Sequence, residues 1–308
     1  FAFASACAFS AVVGDVRGCD GVRLASISAT RAASTSEPSH THSPQQAVNA
    51  AKERLEKANE DNVSIERELQ IAETMQKRLV PSEAPPSDGF EFAWKSISAK
   101  SIGGDYVDFL TSDLGEIYAI IADASGHGIN SALLMTSFRS NYRGHAMWLE
   151  PKELAGSLNS EIVHEVGPTG MFSTAALVRI EPYTSKMSLS SAGHNPAMVY
   201  RAASGEVELI GSHGPPLGFM EDVGYEGYAG DFQPGDVLLL YTDGVTEACD
   251  SSQEMFGEDR LIALLEDHAV TGGAQGVLDA TLQSLANFTG CDQHDDDVSM
   301  LVVKVKQR

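Results

Sequence analysis

From residue 90 onward, short β-rich runs alternate with longer helical stretches. "FEFAWKSIS" and "EIYAIIAD" read as early strands; "MFSTAALVRIE", "KMSLSSAG", "AMVYRA" and "EVELI" follow in the middle; "DVLLLYTDG" and "VSMLVVKVK" come late. Between the early and middle groups the apolar spacing becomes helical. One helix is predicted from about Asn130 to Trp148, with Leu133, Leu134, Phe138 and Tyr142 on its apolar side. A second opens at Pro151 and carries Leu154, Leu158, Ile162 and Val166. Two more, Asp259–His268 and about Ala274–Phe288, follow "TDG". Strand groups interleaved with paired helices predict two packed sheets covered by helices, an α+β layered domain.

Upstream the pattern differs. Residues 47–80 hold few helix breakers, and Leu55, Ala58, Asn62, Ile65, Leu69, Ala72, Gln76 and Leu79 alternate at spacings of three and four. That seam predicts a helix ended by Pro81. It admits a coiled-coil lever that pairs two chains, or one long helix packed on its own domain. Residues 1–46 are rich in Ala and Ser, with three arginines and three acids. They read either as a targeting leader or as an unstructured linker.

Composition narrows the partners. The chain of 308 residues has a formal charge of −22, all of it beyond the first 46 residues. Such a field repels nucleic acid and anionic membrane and favours divalent cations. No apolar run approaches the ~20 residues needed to span a bilayer. Cys7, Cys19, Cys249 and Cys291 form neither a CxxC pair nor a disulfide pattern and read as reduced thiols.

The acids recur at strand ends. "SIGGDYVDF" places Asp105 after Gly-Gly, with Asp108 three residues on; "IIADASGHG" ends a strand in Asp123; "VLLLYTDG" ends one in Asp243; "CDQHDDDVSMLVV" sets Asp295, Asp296 and Asp297 before the last strand. One strand-end Asp is ordinarily a turn former. Several on neighbouring strands would repel one another unless cations neutralised them, and Mg²⁺ or Mn²⁺ take carboxylate and carbonyl oxygens.

The succession "GGDYVDF", "ADASGHG", "SAGHNPAMVY", "PPLGF", "PGDVLLLYTDGVTEA", "FGEDRL" and "DDVSMLVV" resembles the metal-dependent (PPM, type 2C) serine/threonine protein phosphatases. It is most similar to their bacterial branch of sporulation-stage-II and stress-sigma-factor regulators. The resemblance runs from about residue 66 to the end and implies a four-layer α-β-β-α sandwich of two antiparallel sheets over 81–308, preceded by a helical linker. It implies two Mn²⁺ or Mg²⁺ ions. Asp123 resembles the bridging ligand, Ala124 the carbonyl ligand, Asp243 and Asp296 the late ligands, and Asp105 the early acid. Asp296 fits better than Asp297 because the family's ligand usually stands three residues before the Ser or Thr of the closing motif, here Ser299. Asp105 and Asp123 are then the catalytic acids, with His127 a candidate proton donor. The expected chemistry is attack of a metal-activated water on phosphoserine or phosphothreonine; the alternative is an inactive binding or switch protein.

Two departures stand out. The eukaryotic branch has an upstream phosphate-binding Arg where this chain offers Lys95 and Lys100, and "ADASGHG" is two residues longer than that branch's spacing to its His. His194 of "AGHNP" reads as structural. The branch acts on small phosphorylated antagonists of anti-sigma factors, so the partner expected is a phosphoprotein of that kind. The compartment expected is cytoplasmic or, given a plastid-type leader, organellar.

Overall fold

The structure is a computed structural model that describes residues 44–126, 128–290 and 294–307. The leader reading of residues 1–46 falls almost wholly outside them. The chain divides into Phe1–Glu68 and Leu69–Arg308.

A single helix, α1, spans Pro44–Lys77. Before Glu68 its apolar side chains Leu55, Val63 and Ile65 are exposed. Within the second unit its last turns behave differently: Leu69, Ala72, Gln76 and Leu79 are half-buried, whereas Ile71 and Met75 are exposed. The helix stops three residues earlier than expected, and Leu79 N bonds to Gln76 O at 2.8 Å in a closing turn ahead of Pro81.

The second unit holds β1 (Phe90–Ile97), β2 (Asp105–Thr111), β3 (Ile117–Ala124), α2 (Ile129–His145), α3 (Pro151–Val166), β4 (Ser173–Glu181), β5 (Lys186–Ala192), β6 (Ala197–Arg201), β7 (Glu206–Ile210), β8 (Tyr228–Asp231), β9 (Val237–Tyr241), α4 (Asp243–Thr246), α5 (Gly257–Ala269), α6 (Gly273–Thr289) and β10 (Val298–Val305). The strands form two antiparallel five-stranded sheets, ordered β1-β10-β9-β6-β7 and β2-β3-β4-β5-β8.

Alternation along each strand builds the layers. In β3, Ile117, Ala119 and Ile121 enter a core shared by the two sheets, with Leu238, Leu240, Leu301 and Val303. The intervening Tyr118, Ile120 and Ala122 face outward, where Leu134, Phe138, Leu158 and Ile162 of α2 and α3 cover them. On the other sheet Leu239, Tyr241, Met300 and Val302 pack against Leu261, Leu265, Val277 and Leu278 of α5 and α6. The expected α-β-β-α sandwich is thus present.

Asp108 lies on the outward face of β2, fully buried. It is held bidentately by Arg143 of α2 at 2.6 and 2.8 Å and by the Tyr106 hydroxyl, so it ties that helix to the sheet. Three elements were absent from the sequence reading: β2, whose "DYVDFLT" is broken by two acids; β8, a four-residue "YAGD"; and the short α4. Among the described residues no helix is long and apolar enough to cross a membrane.

Candidate active site

The same alternation aims the acids. Asp123 continues the inward face of Ile117, Ala119 and Ile121, and Asp105 that of Val107 and Phe109. Strand register sets Asp105 directly opposite Asp123 at the mouth of the sandwich. The other sheet supplies hydroxyls in phase with its own inward residues. Thr242 Oγ1 donates to Asp105 Oδ2 at 2.9 Å, and Ser299 N donates to Thr242 Oγ1 at 3.0 Å. Asp243 opens α4 one residue past Thr242, and Asp296 stands two residues before β10.

Two glycines allow the loops to close. A Cβ on Gly104 would stand 2.9 Å from the Ala124 carbonyl oxygen, so glycine keeps that oxygen uncovered. A Cβ on Gly244 would overlap the Asp297 carbonyl. Asp297 acts as a clamp: its Oδ1 accepts from Ala99 N at 2.8 Å and its Oδ2 from Gly104 N at 2.6 Å. Both carboxylate oxygens therefore serve the turn that leads into Asp105. On the opposite side of that turn Gln76 bonds Gly103 twice, Nε2 to O at 2.7 Å and Oε1 from N at 3.1 Å.

The electrostatics are those of crowded carboxylates. Burial, then the Asp123 and Asp297 charges, push the Asp105 carboxyl well above its ordinary range, against the pull of the Ser299 and Thr242 hydroxyls. Burial, then Asp243, Asp296 and Asp297, do the same to Asp123. The four acids expected as ligands thus lie near enough for their charges to act on one another, Asp105 buried, Asp123 and Asp243 half-buried and Asp296 exposed. Among the described residues, no three acidic, histidine or cysteine side chains stand close enough to chelate an ion as they are. The donor set, carboxylates plus an uncovered carbonyl, fits hard divalent cations in kind.

His127 lies outside the described residues; Gly126 and Gly128 on either side have φ of +85° and +84°. His194 is buried, shares a hydrogen bond with Thr174 Oγ1 at 2.8 Å through Nδ1, and burial pulls it down to about 4. It is therefore a neutral residue inside the sandwich. Lys95 and Lys100 are exposed, and Lys95 shares the outward phase of Ala93. Thr242, Ser299 and Asp297 had no assigned hydrogen-bonding role in the sequence reading, although the two-residue phase of "LLLYT" and "SMLVV" points both hydroxyls inward.

The profile of stage II sporulation protein E (SpoIIE) matches residues 113–306, which include Asp123, Asp243 and Asp296 but not Asp105. The chain belongs to the SpoIIE family. It is 27% identical over 245 residues to phosphoserine phosphatase RsbU of Bacillus subtilis (strain 168), covering 79% of this chain and 71% of RsbU. It is 28% identical over 249 residues to phosphoserine phosphatase RsbP of the same organism, covering 79% of this chain and 59% of that protein. It spans less than half, 41%, of protein IcfG from Synechocystis. Among solved structures, the SiaA-PP2C domain of Pseudomonas aeruginosa superposes with a TM-score of 0.70 at 20% identity, covering 80% of this chain and 99% of that one. The fold of this chain is therefore that of a PP2C domain.

Neutralising one of the crowded acids should stabilise the metal-free protein. Both Asp105 and Asp123 keep their protons to higher pH when folded than when unfolded. The folded state then binds more protons, and this contribution to stability falls as pH rises above the ordinary carboxylate value of about 4. In chelator, Asp123→Asn should melt above wild type, by a gap that widens as pH rises from about 4, roughly 2–4 °C for each kcal/mol gained. A variant that melts lower at every pH would contradict this electrostatic description.

Proposed function

We propose that this SpoIIE-family domain hydrolyses phosphoserine and phosphothreonine in proteins, using two Mn²⁺ or Mg²⁺ ions held at the mouth of the sandwich. The observation that carries the proposal is the convergence of Asp105, Asp123, Asp243 and Asp296 with the uncovered Ala124 carbonyl. Family membership and the phosphoserine phosphatases among its relatives support it. An inactive switch protein would have no need to keep these like charges crowded together.

Asp123, Asp243, Asp296, Asp105 and the Ala124 carbonyl are the groups that would hold the ions, with Asp123 the central carboxylate of the set. Asp297 is the weaker candidate ligand because its oxygens are engaged by Ala99 and Gly104. When bound, the ions supply an acidified water and stabilise charge on the phosphoryl oxygens. The chain's own part is to hold the carboxylates. Ser173 Oγ donates to the Asp123 carbonyl at 2.9 Å, and Thr242 orients Asp105. His127, three residues beyond the end of β3 at Ala124, is the candidate donor of a proton to the leaving serine oxygen. A phosphorylated regulatory protein, such as an anti-sigma-factor antagonist, is the partner this reading favours.

The proposal also extends to α1. Its N-terminal seam, exposed at Leu55 and Ile65, is the segment through which two chains would pair. The Gln76 amide, fastened to Gly103, would pass a shift of the helix to the turn before Asp105. Sedimentation of wild type beside Leu55→Asp tests the pairing. A dimer lost in the variant is the expected result, and a monomer in both would end it.

Release of phosphate from a phosphoserine peptide should require Mn²⁺ or Mg²⁺ and should cease in Asp123→Asn, Asp243→Asn and Asp296→Asn with the fold retained. Asp297→Asn should be milder, because one carboxamide oxygen still accepts a backbone N–H. Metal-independent turnover, or near-wild-type turnover in Asp123→Asn, would sink the assignment. Greater damage from Asp297→Asn than from Asp296→Asn would move the ligand by one residue.

A further inference from the structure

The mouth has an apolar lip that the chemistry does not use. Ser125, two residues beyond Asp123, exchanges hydrogen bonds with Phe172: Ser125 N to Phe172 O at 2.8 Å, and Phe172 N to Ser125 Oγ at 2.9 Å. The Phe219 ring stands edge-on to the Phe172 ring, 6.1 Å between centroids. Phe219 is 60% exposed and Met220, beside it, 52%.

Isolated exposed apolar residues are ordinary, but this group is held in place. Leu217 and Ser173 exchange backbone bonds at 2.8 and 2.9 Å, joining the loop to β4. Asn159 of α3, 1% exposed, donates to Met220 O and accepts from Gly218 N, each at 2.9 Å. A buried amide thus fastens the backbone on both sides of Phe219. Glu221 and Asp222 follow, both exposed.

We infer that Phe219 and Met220 form a specificity-determining lip that takes an apolar side chain flanking the phosphorylated residue of a protein substrate, with a basic residue beyond it. The inference rests on the phosphatase reading. Three features select this occupant. The lip is continuous with the strand end at Asp123, so it reaches the polypeptide beside the phosphoryl group. Rigid aromatic and Met anchors suit a side chain and give nothing to phosphate. The acidic collar at Glu221 and Asp222, on a chain of net charge −22, disfavours an acidic flank and favours a cation.

The test compares wild type with F219S/M220S on three substrates in Mn²⁺: p-nitrophenyl phosphate, a phosphoserine peptide flanked by Leu and Arg, and the same peptide with Ser replacing Leu. Removing the anchors should lower kcat/KM for the Leu peptide about tenfold, chiefly through KM. Turnover of p-nitrophenyl phosphate should be unchanged, and the preference for Leu over Ser should vanish. Anisotropy of the fluorescein-labelled Leu peptide needs no turnover and should show the same loss of affinity. Equal peptide affinity in both proteins, or an equal fall on all three substrates, would overturn the lip. So would a wild-type dimer that F219S/M220S abolishes, since the lip would then seat a second copy of the chain. If wild type bound the Leu peptide selectively but cleaved no phosphoester, the lip would stand and the phosphatase reading would fall.

Discussion

The rest of the site depends on one unfavourable contact: two carboxylates, Asp105 and Asp123, placed opposite each other across a strand pair and turned into the gap between two sheets. Burial resists the ionisation of both, and neighbouring charges add to it, Asp123 and Asp297 acting on Asp105, and Asp243, Asp296 and Asp297 acting on Asp123. The fold imposes the contact because strands alternate. The core needs Val107, Phe109, Ala119 and Ile121 facing inward, and that phase carries Asp105 and Asp123 inward with them. A slip of one residue would turn the acids toward α2 and move the inward side chains onto the helix-covered face. Glycines at 104 and 244, the Thr242 hydroxyl and the Asp297 clamp are then the means of holding loops together around a concentration of negative charge.

That arrangement gives function to features that stability alone leaves unexplained. A domain selected only to fold would replace one acid of the pair with an uncharged residue, since buried like charges without a partner oppose folding. Cations that bind only the folded state reverse the sign of this contribution. The outward-facing Asp108 is the contrasting case. It is more completely buried than either, but Arg143 and Tyr106 satisfy it from within the chain, so it reads as a structural link between β2 and α2.

Much of this was legible in the sequence, for physical reasons that also mark where legibility ended. Long strands such as β3 and β10 bury both faces and announce themselves as apolar runs. β2 was hidden because Asp105 and Asp108, one on each face, break its run, and β8 because a Gly-bearing four-residue edge strand has almost no pattern. The heptad seam at 47–80 proved to be two things. From Leu69 its residues are half-buried with the domain, while nearer the start Leu55 and Ile65 are exposed; spacing alone cannot tell a coiled-coil partner from a domain surface. The acids themselves were found from their strand-end positions. Gln76 and Asp297 were not seen as clamps, because their partners are backbone groups 27 and 193–198 residues away.

The proposed function requires that Asp105, Asp123, Asp243 and Asp296 make one two-ion centre. Electron paramagnetic resonance of the protein titrated with Mn²⁺ tests it most directly, because two ions sharing a bridging carboxylate are magnetically coupled. Two ions should bind per chain, with a coupled spectrum that Asp123→Asn abolishes. A single uncoupled ion, or a coupled pair that survives loss of the Asp123 carboxylate, would contradict it.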